Sequence, residues 1–160
     1  GTSVVTGETI HLQIPATEYC LVETSRDGLP EIVVVNSSLK SFAHCEIFPW
    51  FLSILIEARD LAEMGMPTAE ESEVLNSLGD HLEGKVLETL TSTGATNVLF
   101  VARLTWNGQR QLIYQAHDPQ PVNATLRAFL ATEPAERTWE YHVKEDFSWQ
   151  QATVFLRLVS

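Results

Sequence analysis

Two apolar runs, VLFVARLTW and QLIYQAH, lie close on either side of Asn107-Gly108. Asn-Gly is the pair that two-residue hairpin turns select, because both central residues must adopt positive φ. A β-hairpin follows, and the turn sets its register, with Trp106 facing Gln109. That register puts Phe100, Ala102, Leu104, Trp106 and Ile113 on one face of the sheet. It puts Val101, Leu112 and Tyr114 on the other, together with Arg103. Both faces carry apolar residues, so both need cover: helices on one side, and a subunit partner or the N-terminal β segment on the other.

The flanking segments supply elements to build around this hairpin. Ile10, Leu12 and Ile14 alternate with polar neighbours, and YCLV and IVVV flank SRDGLP, which predicts a strand followed by a second hairpin turning at Asp27-Gly28. NSSLKS at 36–41 reads as a loop. FLSILIEA at 51–58 is short and rich in isoleucine, and predicts a strand buried on both faces, with a helix as the alternative. Thr68 stands three residues before Glu71, the capping-box spacing at which each side chain satisfies a backbone N–H at a helix start. Leu75, Leu78, Leu82, Val86 and Leu90 then form one helical stripe. Pro121 opens a second helix, with Val122, Leu126, Phe129 and Leu130 on its apolar side and Pro134 as its stop. TWEYHVK alternates as a half-exposed strand. Ser148 or Asp146 can cap a closing helix that buries Trp149, Ala152, Phe155 and Leu156.

From residue 51 the order is β-α-β-β-α-β-α. Its first six elements match the split-βαβ arrangement, so the expected fold is α+β: a ferredoxin-like βαββαβ sheet with helices on one face. Residues 1–40 form an N-terminal β-hairpin extension packed on a main domain at 41–160, and a short C-terminal helix closes the chain.

Composition narrows the function classes. The chain has 160 residues, 44% of them hydrophobic, enough for a real core. Its net charge of -11 repels phosphate backbones and anionic lipid, so neither direct nucleic-acid binding nor a membrane surface is expected. The apolar run from Ile47 to Ile56 is about half the roughly 20 residues a membrane-spanning helix needs. Cys20 and Cys45 have no CxxC spacing, and a reducing cytoplasm is the simplest compartment. The chain begins GTSVV rather than with Met, which is compatible with an expression scar or a removed leader.

Chemistry-bearing residues are few. His44 and Cys45 are adjacent, but neighbours on an extended strand point to opposite faces, and Glu46 would raise the thiol pKa. No catalytic residue is assigned. His117-Asp118 sits at a strand end, and His81 and His142 could in principle join it, but their spacing does not demand a metal and no cofactor is expected. The sequon at Asn123 falls within a predicted helix, a poor place for glycosylation. Tyr114, His117, Tyr141 and His142 are the candidate ligand-binding residues, with aromatic walls and polar groups that could orient a small molecule.

The ordered signatures DGLPEIVVVNSSL, FPWFLSILIEA, GMPTAEESEVLNSLGDHLE, VLFVARLTWNGQRQLIYQAHD and WEYHVKEDFSWQQATVFL cover most of the chain from Asp27 onward. In them the chain resembles bacterial proteins of the domain of unknown function 695 family. The resemblance implies a ferredoxin-like domain and a bacterial source. It also implies a fold similar to regulator of ribonuclease activity B, an acidic protein that binds and restrains a ribonuclease. It brings no catalytic residues. The function expected is a non-enzymatic protein-interaction or regulatory module that binds a protein partner or itself. The alternative is a small-molecule-binding protein or enzyme with a pocket near Tyr114, His117, Tyr141 and His142.

Overall fold

A computed structural model of the chain describes residues 3–5 and 11–159; Ile10 and the side chain of Leu12 lie outside the described residues. The short strands β1 (Ser3–Val5) and β2 (His11–Gln13) pair with each other. All other described strands join one six-stranded antiparallel sheet. They are β3 (Tyr19–Arg26), β4 (Leu29–Asn36), β5 (Trp50–Glu57), β6 (Val98–Trp106), β7 (Gln109–Ala116) and β8 (Trp139–Glu145), in the order β3-β4-β6-β7-β5-β8. Helices α1 (Ala69–Leu87), α2 (Pro119–Thr132) and α3 (Gln150–Leu156) complete the α+β fold.

Both turns form where the dipeptides place them. Asp27 and Gly28 have φ of 53° and 77°, and Asn107 and Gly108 have 45° and 75°. Trp106 pairs with Gln109 as the two-residue loop requires. Further along, a bulge between Phe100 and Ala102 breaks the alternation. Val101 therefore joins Ala102 and Leu104 in one core cluster, while Phe100 packs with Leu112 and Tyr114 in the other. The expected faces of Phe100 and Val101 are thus exchanged, because one extra residue inverts every side chain before it.

The sheet differs from the expected one in its extent: it is not a simple four-stranded ferredoxin pattern, because β4 pairs with β6 and the N-terminal hairpin continues the sheet. The two helices between the strands share one face, as expected. Helices α1 and α2 bury Leu75, Leu82, Val86, Val122, Leu126 and Phe129 against one side. Helix α3 lies on the other, where Trp149, Ala152 and Leu156 pack with Ile14, Leu39 and Phe48. The second face is therefore covered by the C-terminal helix, Ile14 and the 37–49 connection rather than by the β3–β4 hairpin. Part of that connection, Ser37–Ser41, is a 3-10 turn that buries Leu39, where a plain loop was expected.

Helix ends carry much of the local specification. Thr68 caps α1 as expected, its hydroxyl accepting from the Glu71 N–H at 3.1 Å. Glu71 does not return the bond. Its carboxylate accepts from the Arg59 N–H at 2.7 Å and takes both arms of the Arg137 guanidinium, at 2.8 and 2.5 Å. The side chain is wholly buried, and the Arg137 bonds hold its pKa down to about 2 against the opposing effect of burial. The predicted stripe runs shorter than expected: α1 ends at Leu87, and Leu90 is exposed, as is Leu130 on α2. Asp118 caps α2 by accepting from Gln120 N–H at 3.0 Å. Asp146 accepts from the Gln151 and Ala152 N–H groups at the start of α3. Between them Trp149 takes a left-handed φ of 58°, a conformation costing about 1 kcal/mol or more for a bulky residue. Its buried indole offsets that, stacking on Phe42 and donating to the Phe48 carbonyl at 2.8 Å.

Candidate functional site

The four residues singled out for a ligand pocket do not converge. Tyr114 is fully buried beneath α1, its hydroxyl donating to Glu83 Oε1 at 2.8 Å. Tyr141 lies on the same face of the sheet, two strands away on β8, packed beside Trp139. His142 points to the opposite face, largely exposed, 3.2 Å from Glu140. His117 follows β7, with Nδ1 2.6 Å from the Ile47 carbonyl and its ring edge-on to Phe48. His142 is level with Ile113 through Ser53, so the two histidines are four residues apart along the strands and two strands apart across them. That separates their Cα atoms by roughly 16 Å.

The other titratable candidates are equally settled. His44 and Cys45 lie at a 3-10 turn, Cys45–Ile47, rather than on an extended strand. Burial and the Glu46 charge push the Cys45 thiol pKa up, which disfavours the thiolate. His81, on the exposed side of α1, meets Glu133 at 3.3 Å. Among the described residues no group of three or more His, Cys, Asp or Glu side chains is placed to hold a metal ion.

A different cluster stands out on the α1 side of the sheet, where β4 and β6 run out from under the helix. A cavity of about 350 Å³ opens there, walled by Ile32, Val34, Met66 and Pro67, with Arg103 and Arg110 among its lining residues. The hairpin register makes the arginines neighbours: Arg110 pairs with Thr105, two residues along from Arg103. Such diagonal positions stand about 7–8 Å apart. Arg110 is only 7% exposed. Its Nε donates to Thr105 Oγ1 at 2.9 Å and its Nη1 to Asn76 Oδ1 at 2.8 Å. Both partners are neutral, and Nη2 has no hydrogen bond to the described residues. Arg103 makes no hydrogen bond or ion pair to them. Burial, reinforced by the Arg103 charge, lowers the Arg110 pKa to about 10. Asp80 and Glu83, on α1, line an adjoining crevice with both arginines and ion-pair with neither, though the Asp80 charge acts to raise the Arg110 pKa. Burial raises the pKa of Glu83, against the lowering effect of the Tyr114 hydroxyl that it accepts.

The asparagine-glycine register places Arg103 and Arg110 on one face, so their proximity was legible from the hairpin. Missing was any sign that neither would ion-pair with a described carboxylate, in a chain holding 21 Asp and Glu against 10 Lys and Arg.

The rim of this cavity is tied to the sheet. Gly65 carries φ of 77° and approaches the Asn107 backbone so closely that an added Cβ would lie 3.0 Å from Asn107 Cα. Gly108 N–H donates to the Gly65 carbonyl at 2.7 Å, and Ala58 N–H to the Gly108 carbonyl at 2.8 Å.

Beyond the cavity the same face remains open out to the edge strand. Tyr19 and Leu21 are 69% and 63% exposed on β3, opposite Asn36 and Val34 of β4. With half-buried Ile32 and Val34 they make an apolar strip that no helix covers. The outer edge of β3 pairs with no other described strand.

Among the described residues no helix is long and apolar enough to cross a membrane. Comparison with curated proteins and with solved structures finds no match to the chain. A family model does match, over residues 21–157, which takes in all of the six-stranded sheet except Tyr19 and Cys20, together with α1, α2, α3 and the arginine cavity. The chain thus belongs to a family of unknown function (DUF695).

Proposed function

We propose that the protein is a non-enzymatic interaction module that binds a protein partner, or a second copy of itself, along β3. The observation that carries this reading is the exposed pair Tyr19 and Leu21 on an edge strand with a free side. An edge strand offers backbone N–H and C=O groups to an incoming strand, and the two side chains supply apolar area beside it. Residues 1–40 and 41–160 act as one unit in this reading, with the hairpin presenting the interaction edge. The portion β8-β5-β7-β6 with α1 and α2 serves as a ferredoxin-like scaffold, as in the bacterial regulator of ribonuclease activity B. The acidic surface disfavours nucleic acid and suits a soluble, cytoplasmic setting. The alternative of a pocket shared by Tyr114, His117, Tyr141 and His142 would need them to surround one space, and no geometry favours it.

The test is light scattering combined with affinity capture, on the wild type and on Leu21→Lys. A dimer or a reproducible partner that Leu21→Lys loses supports the reading. A protein that stays monomeric and recovers no partner overturns it, as does binding that is indifferent to this substitution.

A further inference from the structure

A buried guanidinium that no described carboxylate ion-pairs retains an attraction for an anion, and its surroundings indicate which. Arg110 is more than nine-tenths buried. Thr105 and Asn76 fix its Nε and Nη1, which leaves Nη2 with no hydrogen bond to the described residues beside a cavity of about 350 Å³. Arg103, diagonal to it in the hairpin, brings a second guanidinium without such a bond. Two like charges on diagonal positions repel, and an anion between them offsets that repulsion.

The walls restrict the anion. Ile32, Val34, Met66 and Pro67 are apolar and would cover a short hydrocarbon body. Asp80 and Glu83 line an adjoining crevice together with the same two arginines, and their charges penalise a doubly charged group more than a single charge. We infer that this cavity is a binding site for a small monocarboxylate with an apolar body, its carboxylate held between Arg103 and Arg110. Arg110 contributes Nη2, since Thr105 and Asn76 take its Nε–H and one Nη1 N–H. Arg103, half-exposed and unengaged, is free to turn its planar fork toward both carboxylate oxygens. Asn76 and Thr105 act as positioning residues that aim the Arg110 donor.

This inference stands apart from the interaction reading, since Arg103 tests one and Leu21 the other. The probes are hexanoate, its uncharged amide and inorganic phosphate, each titrated into the full chain with amide chemical shifts recorded. Hexanoate should bind saturably, shifting the Arg103, Thr105 and Arg110 resonances, with hexanamide inert and phosphate weaker. Arg103→Gln, a half-exposed position whose loss leaves the core intact, should weaken hexanoate by at least about tenfold, since it removes the Arg103 charge and its two charge-assisted hydrogen bonds. Arg103→Lys should recover part of that loss. No saturable hexanoate binding overturns the inference, as does binding indifferent to Arg103→Gln. Phosphate binding more tightly than hexanoate with the same Arg103 dependence would overturn the ligand class.

Discussion

Arg137 and Arg110 both bring a guanidinium out of water beside α1, and they are treated in opposite ways. Arg137 meets the buried Glu71 carboxylate with two parallel bonds and anchors the segment before β8 to the first turn of α1. Arg110 meets a hydroxyl and an amide oxygen, with a second arginine as its neighbour. The difference separates a tie from a socket. A guanidinium with its own carboxylate is satisfied and has nothing left to offer. One held by neutral oxygens is positioned while no ion-paired carboxylate neutralises it. Fold maintenance and recognition can thus be assigned to the two arginines separately.

The largest effect should come from breaking the tie. Glu71→Ala strips Arg137 and the Arg59 N–H of their acceptor at once and should cost on the order of 3 kcal/mol, measured as a lower urea midpoint. A loss well under 1 kcal/mol would mean that the pair is replaceable by water and that the contrast is smaller than the geometry implies.

Acid should erode the same tie more gradually. The folded Glu71 pKa of about 2 lies below its ordinary 4.5. Its contribution is therefore fully present above pH 4.5 and is lost as pH falls toward 2. Wild type and Glu71→Gln, compared by urea unfolding across that window, should converge in stability at the acid end. Curves that stay parallel would show that the carboxylate charge is not what Arg137 needs.

The smallest effect is expected at the socket. Arg110→Met removes a buried charge that has no ion-paired carboxylate and substitutes apolar volume, so stability should change by no more than about 1 kcal/mol in either direction. Arg137→Met, in the same assay, should be clearly destabilising because it strands the Glu71 carboxylate. Equal losses at both arginines would erase the distinction between them.

The parts of this molecule legible in the sequence are those governed by neighbours along the chain. Asn107-Gly108 and Asp27-Gly28 turn where their φ preferences require, Thr68 caps α1, and Asp146 caps α3. What escaped depends on partners far away. Glu71 has the spacing of a reciprocal cap, yet Arg137, 66 residues on, offers a charged bidentate partner and draws the carboxylate away from its own helix end. The bulge at Val101 has no local marker, and it reverses a face assignment that strict alternation would have given to Phe100. Nor does periodicity reveal that β4 pairs with β6, or that α3 crosses to the opposite face. The candidate pocket failed for a related reason: adjacent residues on one strand, Tyr141 and His142, cannot share a face, whatever their chemistry.

The close approach of Gly65 to Asn107 bears on how the cavity would receive an occupant. Met66 and Pro67, the apolar rim, follow immediately after a backbone that is hydrogen-bonded to the hairpin tip and too near it to admit a side chain. The wall is thus preorganised, and little conformational entropy remains to be lost when a ligand arrives. Discrimination between occupants should then fall to shape and charge, because a pinned rim cannot close further around a smaller one.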